Sequence, residues 1–435
     1  MSVLSSAVGT STAERHKIAQ RIDSCMREKD NASFRDFVLV HATLIDAHSV
    51  RKNSWIRVVD GKIKDVGSGD FPVSGCVKEN DSHGAHTYPN IIDVAGFIVC
   101  PGFIDIHSHG AWGASFDNGA SAISQARACH MIHGTTRQVL SLITNPWDLL
   151  LANVREAAQV SREREDVLGL HLEGPFLAVQ RKGAHDEECL LDPSAERVNE
   201  LLDAADGQLR QITIAPELPH GIDAISQFTA AGVHAAVGHC DADYEVATKG
   251  FNSGADILTH MFDAMNGISH RAPGPIPAAV ENESVVCEII ADGFHVQVPA
   301  LRLASRFACH RLALVTDSMS ATGCPDGAYT LGKLEVNVVN GHARLASNGA
   351  IAGSTLVLEQ AVQRMVHEVG MSVQDAIEAA TYTPARAIGV HKPNVITRLP
   401  LGLLREGYAA DLLVLHPDTL EVQRVWCAGQ EVLVE

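Results

Sequence analysis

The 435-residue chain has no uninterrupted apolar run near the ~18 residues that a membrane-crossing helix needs, so no transmembrane helix is expected. Its opening stretch, Met1 to Asn31, contains Ser, Arg and Lys and lacks an apolar signal core. Positive charge is scarce. Against 52 Asp and Glu stand 34 Lys and Arg, a formal net charge of −18. This balance argues against a general nucleic-acid or anionic-membrane binder. Any anionic substrate must therefore be held by local cations. The ten cysteines include no Cys-x-x-Cys pair. Cys129, Cys240, Cys287 and Cys309 have apolar neighbours and read as reduced core thiols of a cytoplasmic protein. No internal repeat or low-complexity tract is evident.

What is present fits an ordinary globular protein, at 46% hydrophobic and 20% charged residues. The length suits a barrel of ~250 residues plus a second domain. From Phe34 the chain alternates β-branched runs with turns, including Asp60-Gly61 between apolar alternations, a hairpin signal. Residues 68–90 are polar and rich in Gly, His, Asp and Ser, and read as a surface insertion. From Gly96 strands and helices alternate. Candidate strands are Ile98–Ile106, Thr136–Leu142, Val167–Leu172, Ile212–Ala215, His234–Val237, Ile257–Thr259, Val285–Ile290 and Leu312–Thr316. Helical stretches such as Ala120–His133, Leu149–Arg162 and Ala195–Ala205 separate them. The pattern predicts a TIM-like (β/α)₈ barrel over 95–389. A small β-sandwich is expected from both chain ends, 34–94 and 390–435, after an N-terminal extension, 1–33.

In that register the chemically capable residues fall at the carboxyl ends of strands, where barrel enzymes keep their sites. His107 and His109 lie at i and i+2 on extended backbone, so both side chains face one way. Glu173 precedes a Gly-Pro turn, and His239, His260 and Asp317 follow later strands. Any one of these could be a hydrogen-bonded core histidine or a helix cap. Together they form a set suited to zinc, iron or manganese. Asp317, beside such an ion, could act as general base and then general acid. A second group, His185, Arg271 and His295, could hold substrate. Arg271 sits in a Pro-Gly-Pro-stiffened loop, and a guanidinium suits a phosphate. Gly353-Ser354-Thr355 is a turn that could bring backbone close to a ligand.

The runs Pro-Gly-Phe-Ile-Asp-x-His-x-His-Gly at 101–110, His-Leu-Glu-Gly-Pro-Phe at 171–176, Lys-Gly-Ala-His at 182–185, Thr-His-x-Phe-x-Ala-Met at 259–265, Asp-Gly-x-His at 292–295 and Thr-Asp-x-Met at 316–319 carry a resemblance. The chain resembles the amidohydrolase superfamily and, within it, the N-acetylglucosamine-6-phosphate deacetylase family. The resemblance implies hydrolysis of N-acetyl-D-glucosamine 6-phosphate to D-glucosamine 6-phosphate and acetate in amino-sugar catabolism. It implies metal ligation by Glu173, His239 and His260, with catalysis by Asp317. It places His185, Asp263, Ala264, Arg271 and His295 at the substrate. Asp263 stands where Asn is usual. Arg271 would serve the neighbouring subunit of a homodimer. Some relatives carry Gln-x-Asn in place of the His-x-His pair and hold one metal. This chain keeps both histidines, which implies one or two divalent ions per subunit, zinc foremost. Alternatives in the same class are an N-acetylgalactosamine-6-phosphate deacetylase and a cyclic-amide hydrolase. The latter relatives often carry a carboxylated Lys, where this chain has Glu173 and Pro216-Glu217. A ligand-binding protein that had lost activity would lack a ligand or the acid/base, and none is missing.

Overall fold

A computed structural model describes residues 11–27, 36–72, 78–80, 85–87 and 90–432. The remainder of the expected extension and of the expected insertion at 68–90 lies outside the described residues.

Eight parallel strands follow one another in chain order around a nearly closed barrel: Phe103–Asp105, Thr135–Ile143, Val167–Glu173, Leu209–Ile214, His234–Val237, Ile257–Leu258, Val286–Ile290 and Leu312–Val315. They are numbered one to eight below. Strands two and three are buried along their whole length, as parallel strands covered on both faces must be. Helices wrap the outside, and three of them start on side-chain caps that satisfy free amides. Ser194 accepts from Arg197 N, Asp243 from Val246 N, and Ser372 from Asp375 N. Strand eight meets strand one through polar groups. Thr316 Oγ1 donates to Asp105 Oδ2 at 2.6 Å, and Asp317 N donates to His107 O at 2.9 Å.

The run expected as one first strand, Ile98–Ile106, is divided. Ile98–Pro101 pairs with Phe37–Asp46 and Leu412–Leu415 in a separate sheet, and only Phe103–Asp105 enters the barrel. Gly102 marks the break, since a Cβ there would sit 2.1 Å from Thr136 Oγ1. The separate sheet joins both chain ends: Gln430–Glu431, Val422–Cys427, Leu412–Leu415, Ile98–Pro101, Phe37–Asp46, Ser49–Val59 and Lys62–Ser68 in order, with Asn90–Asp93 beside Phe37–Asp46. It curls so that Lys62 bridges Ala409, enclosing Phe37, Ile56, Val58, Ile63, Leu412 and Trp426. The Asp60-Gly61 turn has both residues at positive φ, 51° and 72°, as a tight hairpin needs.

Two further features depart from expectation. An antiparallel sheet of Gly327–Leu331, Leu334–Val339 and His342–Leu345 follows strand eight. Cys309 is exposed, whereas Cys129, Cys240 and Cys287 are buried as expected. Helix Thr12–Arg27 in the extension packs on helix Ala120–Ile132. No described helix is long and apolar enough to cross a membrane.

Candidate metal centre

Four of the strands deliver their residue two positions beyond their carboxyl ends: His107, His239, His260 and Asp317. His109 lies two further on, and Glu173 is the last residue of strand three. All six are buried. The backbone at His239, His260 and Asp317 is left-handed, with φ of 46°, 24° and 45°. Such a conformation costs a non-glycine residue on the order of 1–3 kcal/mol and clusters at functional sites. Gly238 permits the bend before His239, because a Cβ there would lie 2.5 Å from Thr259 Cβ.

Glu173 is the hub. Its Oε1 lies 3.0 Å from His239 Nε2, 3.1 Å from His260 Nε2 and 3.3 Å from His107 Nε2. Its Oε2 lies 3.1 Å from His109 Nε2 and 3.3 Å from His185 Nε2. Asp317 Oδ1 is 3.4 Å from His109 Nε2 and 3.7 Å from His107 Nε2. Two overlapping groups result, His107–His109–Glu173–Asp317 and Glu173–His239–His260, which share Glu173.

The bonding is incomplete in a telling way. His107 Nε2 and both ring nitrogens of His109 are buried with no hydrogen-bond partner. His239 Nε2 and His260 Nε2 face each other at 3.1 Å. His239 Nδ1 meets the carbonyl of Arg181 at 2.8 Å, so it carries the proton and Nε2 presents a lone pair. Ligand bonds of 2.0–2.2 Å in a tetrahedral zinc site place neighbouring donors about 3.3 Å apart. The observed separations match that spacing. Electrostatics points the same way. Burial opposes charge on His109, yet Asp317 and Glu173 push it up to about 9. Burial raises Glu173, but His107 and the histidines around it pull it well below the carboxylate range. Asp317 is likewise raised by burial and held net low by His109 and His107. The cluster is a buried pocket of ring nitrogens and carboxylates that favours positive charge, and it fits a divalent metal.

The expected substrate residues divide. His185 joins the cluster, with Nδ1 2.8 Å from Thr144 Oγ1, and burial drives it down to about 4. His295 is nearly buried and pairs with Asp292 at 2.7 Å. Burial disfavours its charge, but that carboxylate raises it on balance. Asp263 is pushed up to about 6 by burial, with His295 opposing, and its Oδ2 has no partner. Ala264 has φ of 52°. Arg271 is not brought to the cluster. It lies exposed on the loop after strand six, with no hydrogen bond or ion pair among the described residues. The Gly353-Ser354 turn braces the acid, since Ser354 N donates to Asp317 O at 2.7 Å and its hydroxyl to Thr316 O at 2.5 Å. Phe294 stacks on His342 of the small sheet, with centroids 4.0 Å apart.

Several participants escaped sequence reading. Glu288, fully buried in strand seven, holds His107 Nδ1 at 3.1 Å. Asp105 binds the amides of His107 and Thr316. Their signal was a lone carboxylate within an apolar strand.

The amidohydrolase family profile matches residues 98–432. The chain belongs to the amidohydrolase family. It is 32% identical over 367 residues to the N-acetylglucosamine-6-phosphate deacetylase of Vibrio furnissii, covering 82% of this chain and 89% of that protein. It is also 32% identical over 379 residues to the N-acetylgalactosamine-6-phosphate deacetylase of Escherichia coli O157:H7, 86% of this chain and 93% of that one. The solved structure of a mutant N-acetyl-D-glucosamine-6-phosphate deacetylase from Mycobacterium smegmatis, bound to N-acetyl-D-glucosamine-6-phosphate, superposes with a TM-score of 0.83. It shares 34% identity and covers 92% of this chain and 100% of that chain.

Proposed function

We propose that this amidohydrolase removes the acetyl group of N-acetyl-D-glucosamine 6-phosphate, consuming water and releasing acetate and D-glucosamine 6-phosphate. The observation that carries the reading is Glu173 shared between two groups of buried histidine and carboxylate donors. Its deacetylase relatives supply the substrate class.

Glu173, His239 and His260 would hold one divalent ion, and His107, His109 and Asp317 with Glu173 a second. Zinc is the best match to histidine-rich sites of this kind, ahead of iron and manganese. When bound, such an ion polarises the acetamide carbonyl and acidifies water. Asp317, held ionised, takes a proton from water on its carboxylate and returns it to the departing nitrogen as the amide C–N bond breaks. His185, beside Glu173, is kept neutral by burial, gives its Nδ1 proton to Thr144 and turns its Nε2 edge toward the acetamide. His295, Asp263 and the backbone of Ala264 line the sugar side. Arg271, unpaired and exposed, reaches the phosphate of a neighbouring subunit in a homodimer. The eight cysteines from Cys100 onward are all free, which suits a cytoplasmic setting.

The test is acetate release from N-acetylglucosamine 6-phosphate, N-acetylgalactosamine 6-phosphate and unphosphorylated N-acetylglucosamine, each with and without chelator. The reading predicts the first as the best substrate and loss of turnover on chelation. Preference for the galacto epimer would reassign the substrate, and chelator-resistant turnover would remove the metal.

A further inference from the structure

Glu288 lies in the middle of strand seven, where its neighbours Val286, Cys287, Ile289 and Ile290 are all buried. A carboxylate in that position is costly unless every lone pair is used. Its Oε2 receives His107 Nδ1 at 3.1 Å and the backbone amide of His260 at 3.3 Å. Its Oε1 receives Gln211 Nε2 at 2.7 Å. One carboxylate thus touches a residue that follows strand one, another that follows strand six and a third within strand four.

The consequence for His107 is a matter of proton placement. A neutral imidazole carries one N–H. Glu288 accepts only, so the proton sits on Nδ1. In the neutral ring that would bind a metal, Nε2 is then the lone pair, 3.3 Å from Glu173 Oε1. The bond to His260 N holds a residue whose φ of 24° needs outside support. His107 and His260 belong to different halves of the cluster and share Glu173.

We infer that Glu288 is a positioning residue that sets the tautomer of His107 and joins the two halves of the metal cluster from beneath. It does not touch substrate. The inference rests on the metal reading above. Carboxylates that orient ligating histidines commonly contribute 10–100-fold to metal affinity.

The experiment is calorimetric and absorption titration of the metal-free full-length protein with Co(II). It compares wild type, Glu288→Gln, His107→Asn and the double variant. Glu288→Gln should weaken one of two Co(II) ions by about 10–100-fold and shift the cobalt absorption bands. In the His107→Asn background the same change should cost no more than about 2-fold, because the partner is gone. Unchanged affinity in Glu288→Gln, or an equal loss with and without His107, overturns the inference. Absence of Co(II) uptake by wild type overturns instead the metal reading beneath it. Should Glu288→Gln fail to fold, ¹⁵N spectra of histidine-labelled wild type decide. The metal-loaded resonance that disappears in His107→Asn must show its proton on Nδ1, and a proton on Nε2 contradicts the assignment.

Discussion

Two buried ionic clusters occupy opposite ends of the same barrel, and they differ in what they leave unfinished. At the amino ends of strands two and three, Arg127 and Arg164 share Asp166, while Arg137 grips Asp411 from the terminal sheet. Every guanidinium there is used. Arg127 also reaches Gln138 Oε1 and the carbonyls of Thr135 and Thr136. Arg164 also binds Ser124 and Asp23. Asp411 further accepts from Ala428 N at 2.7 Å. At the carboxyl ends, histidine nitrogens face one another, several have no partner, and three residues adopt left-handed backbone. The first cluster is complete in itself and joins domains. The second is complete only with something added. Burial and charge are common to both, so neither alone identifies a site. The difference lies in satisfaction. The two are also connected: Arg127 holds Gln138, which donates to Ser108 between the paired histidines.

The contrast can be broken most severely at Glu173. Glu173→Ala should abolish ion uptake and deacetylation together with little loss of thermal stability in the metal-free protein. Full metal occupancy by elemental analysis would contradict its bridging place. Asp317→Asn should lower turnover by ~10²–10⁴-fold while an ion remains at Glu173, His239 and His260. Near-normal turnover would refute its proton role.

The opposite cluster should respond in the opposite currency. Asp166→Asn leaves Arg127 and Arg164 without their shared anion, at a cost of about 3–5 kcal/mol, with metal content unchanged. Denaturant unfolding checks it. Burial pushes the Asp166 carboxyl up, but Arg164 and Arg127 hold it far below its ordinary range. Its contribution is therefore complete above the unfolded value, about 3.9, and is lost only as pH falls toward the depressed folded one. The stability gap between wild type and variant should stay constant from neutral pH to about 4 and shrink in stronger acid. The smallest effect is expected outside both clusters. Arg271→Ala should raise KM for the phosphorylated sugar by about 10–100-fold, the value of a charge-assisted contact, and barely change turnover of unphosphorylated N-acetylglucosamine. Mixed dimers of Arg271→Ala and Asp317→Asn chains should recover activity if the contact crosses subunits.

The clustering of the proposed metal ligands was legible because barrel geometry gathers strand ends, and strand ends can be read from where an apolar run stops. His107, His239, His260 and Asp317 each lie two residues past a strand. What could not be read was long-range. Glu288 meets His107 across 181 positions, and no local pattern encodes that pairing. The division of Ile98–Ile106 between two sheets was hidden for the same reason, since each half is apolar and only its partners differ. The antiparallel sheet after strand eight did carry a local signal. Asn340-Gly341 forms a turn with both φ positive, at 53° and 75°, before the alternation resumes. Cys309 was misplaced because apolar neighbours do not guarantee burial at the end of a surface helix.

An anomalous-difference map from crystals of the zinc-loaded protein addresses the central claim most directly. The account predicts one peak bounded by Glu173, His239 and His260, and a second by His107, His109, Glu173 and Asp317. No peak at Glu173, or zinc held instead by His310, Asp375 and Glu378 on the far side of the barrel, would contradict it.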